Sequence, residues 1–390
     1  MKQLFSILRY ASCVLLAVML TGCAGSVGPQ AGTAIALQHS QLLHIEQHEG
    51  YRLVSITDPW RDNALLHLYA LVPRSSSAKA DGIWSGEEPL PLGIPEQATV
   101  VRTPLRKMCV STSVHAALMD DLGALDCVGS ICEGKYILTP AVQERLKGRR
   151  IQDVGSGLNP NVERIVQLQT DALLMSPFEG ASYGLLEKTG IPIIECADYM
   201  ETTALGRAEW MKFYGMLVDR EAEADSLFDE IVSHYDSLKV LAANAKHHPK
   251  LLADMLNGNT WYLPGGGSTY GALYKDAGAD FSIASDEVSG SQPLSLEKVL
   301  VDGKDADVWI IKYSRPTDFT YATLLHENPI YEKFAAYRQR NIYGCNAYLV
   351  PFYEEVPFRP DLLLADIISI LHPDLLPNHQ RVFYQPLKEK

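Results

Sequence analysis

The spacing of apolar and polar residues divides the chain into zones of different period. From Gln41 to about Arg74, runs such as Tyr51-Arg52-Leu53-Val54-Ser55-Ile56 and Leu65-Leu66-His67-Leu68-Tyr69-Ala70-Leu71-Val72 are separated by Gly50 and Asp58-Pro59. Short alternating runs between turn formers predict antiparallel strands, so residues 41–97 read as an N-terminal β extension. Its end, Ser75 to Pro95, is dense in Ser, Gly and Pro and is expected to be an exposed loop.

Residues 98–203 follow a strand-helix rhythm. Val100 to Val110 leads to a helix from about Ser113 to Leu122, Leu125 to Ile131 to one over Pro140 to Lys147, and Ile151 to Val154 through a Gly/Pro turn to one over Asn161 to Leu168. Ala172 to Met175, a helix near Ser182 to Thr189 and Pro192 to Cys196 complete a first α/β lobe. From Ala204 to Leu241 apolar residues recur every three or four positions, with no glycine after Gly215 and no proline. This predicts one long amphipathic helix, or two in tandem, spanning about 57 Å at 1.5 Å per residue, and assigns 204–243 to a rigid connector.

The rhythm resumes over 244–390. It runs through Lys250 to Met255, Pro264-Gly265-Gly266-Gly267-Ser268, a helix from about Thr269, Leu296 to Val301, Val308 to Lys312, a helix near Tyr331 to Arg338, Ala347 to Pro351 and a last helix over Pro360 to Leu371. The fold class expected is α/β: two lobes with mainly parallel sheets, joined by a long rigid helix and preceded by the β extension.

The first 23 residues bear on the compartment. Lys2 and Arg9 precede the apolar run Cys13 to Leu20, which is far shorter than the ~20 residues of a membrane span. Residues 1–22 are therefore expected to be an export signal. It ends in Leu20-Thr21-Gly22-Cys23, which resembles the bacterial lipobox; the resemblance implies that Cys23 is acylated and tethers the chain, through a flexible 23–40 linker, to a membrane on the periplasmic side.

Charge then excludes one class of partner. The formal net charge is −13, and −15 once Lys2 and Arg9 leave with the signal, so no cationic surface is offered to nucleic acid. Of the five remaining cysteines, Cys109, Cys127 and Cys196 lie in apolar runs and read as buried thiols, with a Cys127–Cys132 bridge as an alternative. No C-x-x-C, H-E-x-x-H, G-x-S-x-G or P-loop pattern occurs, so no metal, cofactor or catalytic group is expected. His44 and His48 have H-x-x-x-H spacing but fall in an expected strand.

Ligands of α/β sheets bind beyond the carboxyl ends of strands. That rule nominates the loops carrying His115, Tyr136, Phe178 and Tyr183 in the first lobe, and Trp261, Tyr262, Tyr270, Lys312, Arg315, Tyr353 and Arg359 in the second. The aromatic residues suit a large, flat or chelated ligand, and the three cations suit its carboxylates. Gly265 to Gly267, before Ser268 and Thr269, read either as an anion-binding turn or as a plain turn with a helix cap.

The phrase Asp153-Val154-Gly155, followed by Asn159-Pro160-Asn161-Val162-Glu163-Arg164-Ile165-Val166-Gln167-Leu168 and Thr170-Asp171-Ala172-Leu173-Leu174, resembles the iron-siderophore, haem and vitamin B12 class of substrate-binding proteins of ABC importers, with Thr170 where proline is usual. The likeness continues through Leu273 to Ala279, Leu294 to Leu300 and Asp305 to Ile310. It implies a monomeric, non-enzymatic receptor that closes on a small-molecule metal complex and delivers it to a permease dimer with its ATPase subunits. Glu163 and Glu297 would dock on that permease. A tetrapyrrole chelatase-like enzyme and a surface scavenging lipoprotein are the alternative readings.

Overall fold

The computed structural model describes residues 32–62, 64–74, 89–180 and 182–390. The expected signal, Cys23 and most of the Ser75 to Pro95 loop lie outside them. Gly32–Lys390 is one compact unit.

The N-terminal sheet has five strands in the order Thr33–Ile35, Leu43–His48, Tyr51–Thr57, Leu65–Pro73 and Thr99–Thr103. The first four are antiparallel neighbours, and the last runs parallel to Leu65–Pro73. Glu49 and Gly50 make the two-residue turn between His48 and Tyr51, with Gly50 at φ +83°, a conformation that costs glycine little.

Two boundaries differ from expectation. Thr33–Ile35, assigned to the linker, is a paired strand, and the segment after it is fastened by carboxylates: Glu209 accepts from the N–H groups of Gln38, His39 and Ser40 at 2.8–2.9 Å. The continuous strand expected from Val100 to Val110 is two strands in two sheets. Pro104 has no N–H to donate, and Leu105 N–H instead donates to the carbonyl of Leu217 at 2.8 Å.

The first lobe has a five-stranded parallel sheet in the order Ile193–Glu195, Ala172–Met175, Met108–Val110, Val128–Ile131 and Gln152–Asp153. Its central strands are fully buried, as a sheet covered on both faces requires. In the second lobe Leu251–Ala253, Val308–Tyr313 and Ile342–Asn346 are parallel, with Gln385–Pro386 added antiparallel. The last parallel strand lies upstream of the Ala347 to Pro351 run expected for it. An antiparallel meander of Leu256–Asn257, Thr260–Pro264 and Ser291–Leu294 stands beside this sheet.

The connector is three helices, Ala204–Glu209, Met211–Val218 and Glu221–Ala243, in place of the one or two expected. Asp219 adopts the left-handed conformation at φ 58°, which a short polar side chain tolerates. Gly215 lets the next helix come close, since a Cβ there would lie 2.8 Å from Ala224 Cβ and Arg220 O. The third helix is amphipathic, burying Ala224, Phe228, Ile231, Tyr235, Leu238 and Ala242 at alternating steps of three and four. The five cysteines from Cys109 to Cys345 are free thiols. Among the described residues no helix is long and apolar enough to cross a membrane.

Candidate functional site

A cleft of about 500 Å³ opens between the lobes. One wall is the segment Tyr199 to Arg207, which follows the edge strand Ile193–Glu195; the other comprises Asp254, Tyr262, Ser268 to Tyr270 and Lys312. Val356, Pro357 and Pro360 line it too, and Pro59 reaches it from the N-terminal sheet.

Lys312 is carried near the end of the strand Val308–Tyr313. Its ammonium lies 4.8 Å from the ring centre of Tyr270, 5.0 Å from Phe352 and 5.6 Å from Tyr353. Burial pulls its pKa down, yet the neighbouring Tyr270 and Asp254 outweigh burial and raise it, so the lysine is charged. Burial pushes Asp254 above the usual carboxylate range, partly offset by Lys312. Across the cleft, Arg207 is oriented from behind by Asp198, whose Oδ2 accepts from Nε at 3.0 Å. The remaining carboxylate, Glu201, faces inward: its oxygens accept from Ser40 Oγ, the N–H groups of Gln41 and Leu42, and Trp210 Nε1. Arg207, on the first connector helix, and Lys312, in the second lobe, thus line one cleft, with Tyr199, Tyr262 and Tyr270 around them, an arrangement suited to an anionic ligand with flat surfaces.

Of the residues nominated from sequence, Tyr262, Tyr270 and Lys312 line this cleft, and Tyr353 stands beside Lys312. His115 does not reach it. It is 2% exposed, its Nε2 is 2.9 Å from Asp198 Oδ1 and 3.1 Å from Tyr214 Oη, and its Nδ1 is 2.6 Å from Thr112 Oγ1. Burial disfavours the imidazolium, but Cys196 and the Asp198 carboxylate outweigh it and raise the pKa to about 10. Burial likewise opposes charge on Asp198, and His115 and Arg207 overcome it, bringing the pKa down to about 2.

Trp261 is completely buried, packed on Trp309, Tyr331 and Phe334, with its indole N–H donated to Ala253 O at 2.8 Å. It belongs to the second-lobe core because its strand turns alternate residues inward while Tyr262 faces out. Arg315 pairs with Glu327 at 2.7 Å on the surface, and Arg359 forms a two-pronged contact with buried Asp361 at 3.0 and 3.1 Å. Tyr136 and Phe178 are exposed outside the cleft lining, and Tyr183 donates to Glu195 at 3.1 Å.

The glycine turn proves to be a plain one. The N–H groups of Gly265, Gly266 and Gly267 donate to the carbonyls of Gly290, Ser285 and Val288, so none is offered to an anion. Ser268 caps the helix Thr269–Asp276 by accepting from Gly271 N at 3.1 Å.

Sequence reasoning missed Tyr199, Glu201 and Arg207. The carboxyl-end rule applied to the strand Pro192 to Cys196 points to the loop that carries Tyr199 and Glu201. Pro59 and Asp254 carried no local signal.

Glu163 and Glu297 are exposed and hold the same place on two helices, Val162–Gln167 and Leu296–Gly303. Each is the second helical residue. Each follows a capping side chain, Asn161 or Ser295, that accepts from the next residue's N–H, Arg164 at 2.9 Å or Lys298 at 3.2 Å.

Comparison with known proteins agrees with this architecture. An uncharacterized lipoprotein of Methanocaldococcus jannaschii is 26% identical over 296 residues, covering 73% of this chain and 69% of that protein. A possible iron-binding periplasmic solute-binding protein of Staphylococcus epidermidis superposes with a TM-score of 0.55 at 16% identity, covering 69% of this chain and 100% of the other. IsdE of S. aureus, solved with heme, gives 0.54 at 19% identity over 68% of this chain and 98% of its own. Residues 118–349, more than half of the sequence, match the periplasmic binding protein family, and the chain belongs to that family.

Proposed function

We propose that the chain is the lipid-anchored substrate-binding component of an ABC importer. It captures an anionic iron complex, a siderophore or haem, or a corrinoid in the interlobe cleft and delivers it to a permease dimer with its ATPase subunits. The observation that carries this reading is the apposition of Arg207 and Lys312 across a cleft walled by Tyr199, Tyr262 and Tyr270. Two cations in a partly dry, aromatic site favour a ligand that is both anionic and broad.

Further support comes from the family, from neighbours named for iron and heme, and from the relative named a lipoprotein. In this reading Cys23 carries the lipid on the periplasmic side, the protein acts as a monomer, and Glu163 and Glu297 present one carboxylate per lobe to the permease. A two-fold transporter meeting a two-lobed receptor requires one such contact on each lobe.

Titration with ferric citrate, a ferric tricatecholate, haem and cobalamin, followed by tryptophan fluorescence, tests the ligand class. Saturable quenching by at least one probe at micromolar concentration is expected. Its absence for all four refutes the reading.

A further inference from the structure

The N-terminal sheet lies ahead of the region matched to the family, which begins at residue 118, yet it takes part in the cleft. The turn joining Tyr51–Thr57 to Leu65–Pro73 carries Pro59 into the cleft lining. The turn is held from within. Asp58 N–H donates to Ala64 O at 2.8 Å, and the Asp58 side chain accepts from Trp60 N at 2.8 Å, bracketing Pro59 on both sides. It is also tied to the cleft wall. Thr57 N–H donates to Leu42 O at 2.8 Å, Leu42 N–H donates to Glu201 Oε1 at 3.1 Å, and Glu201 itself lines the cleft.

We propose that this turn is a third wall of the ligand site, with Pro59 as its contact, and that it sets which metal complexes fit between the lobes. The inference rests on the function proposed above and names a determinant within the same cleft. A proline suits the task because its fixed φ and rigid ring cannot yield to a bulky ligand as a flexible side chain would. Selection is then by exclusion: complexes that project toward the N-terminal sheet meet the ring, and those that present a flat or short face there do not.

The test uses the full-length protein, the same four probes and three variants. Pro59→Trp intrudes on the cleft and is expected to weaken the best-bound probe about tenfold or more. Pro59→Ala withdraws the wall and is expected to change the relative affinities of the probes by about threefold or more, a readout that survives if the tryptophan variant fails to fold. Arg61→Ala, in the same turn but with a side chain 80% exposed to solvent, is the control and is expected to bind as the unmodified protein does. If the unmodified protein binds a probe and the folded Pro59 variants keep its affinity and its selectivity, the third wall is refuted while the receptor reading stands. If the unmodified protein binds none of the four, both fall.

Discussion

Glu354, in the second lobe, caps the chain at Thr139 in the first. Its carboxylate accepts from Thr139 N at 2.8 Å, from Thr139 Oγ1 at 2.5 Å and from Leu138 N at 2.6 Å, just before the helix Pro140–Lys147. Thr139 makes no capping bond of its own there, so a carboxylate 215 residues away answers the partial positive charge of the helix start and ties the lobes together.

Glu354→Ala should therefore destabilise the protein by about 1–2 kcal/mol, because it leaves the half-buried N–H groups of Leu138 and Thr139 and the Thr139 hydroxyl without their acceptor. Urea unfolding measures it. A loss below about 0.5 kcal/mol would show that water replaces the carboxylate without cost.

The His115–Asp198 pair predicts a pH dependence. His115 titrates near 10 in the fold against 6.5 ordinarily, so its contribution is complete below 6.5 and is lost as pH rises toward 10. Asp198 titrates near 2 against 3.8, so its contribution is complete above 3.8 and is lost as pH falls toward 2. Melting curves should show the pair at full strength between about pH 4 and 6.5. Asp198→Asn should lose more stability at pH 6 than at pH 9.5, and an equal loss at both would contradict the assignment.

For the cleft, Lys312→Gln and Arg207→Gln should each weaken an anionic ferric chelate roughly tenfold, and more at low than at high salt, because each removes a charge facing the ligand. Trp261→Phe, in the core, should leave affinity unchanged. Equal losses from all three would mean that the variants act on folding rather than on the ligand.

Docking through the two matched glutamates predicts that Glu163→Lys together with Glu297→Lys abolishes uptake into cells while ligand affinity and melting temperature stay as they were. Both side chains are exposed, so no buried contact is lost. Persistent uptake would exclude them as the docking pair.

Lipid attachment predicts that Cys23→Ala leaves the protein in the aqueous phase on detergent partitioning, or as an uncleaved precursor. A processed variant that still enters the detergent phase would exclude Cys23 as the anchor.

The alternation of strands and helices, and the family phrase around Asn161 and Glu163, were legible because both are local patterns. Glu201, Arg207 and Asp254 were not, since each acquires its role from a neighbour distant in sequence: Leu42, the cleft across from Lys312, and Lys312 itself. Trp261 and Tyr262 show the limit most clearly. Adjacent in one strand and equally aromatic, they face opposite ways, and a loop-level reading cannot tell which faces the ligand. His115 failed for a similar reason, because Asp198, which buries it as an ion pair, lies 83 residues away.

The fastening of the N-terminal segment also dictates an order of assembly. Gln38 to Leu42 leave the ribosome early, but the carboxylates that receive their N–H groups, Glu201 and Glu209, follow 159 to 171 residues later. Closing so long a loop is an entropic cost met only once the first lobe and connector have formed. The segment synthesised first is thereby docked late, and until it docks Glu209 lacks the N–H groups of Gln38 to Ser40, and Glu201 keeps the Trp210 indole but lacks its donors from Ser40 to Leu42.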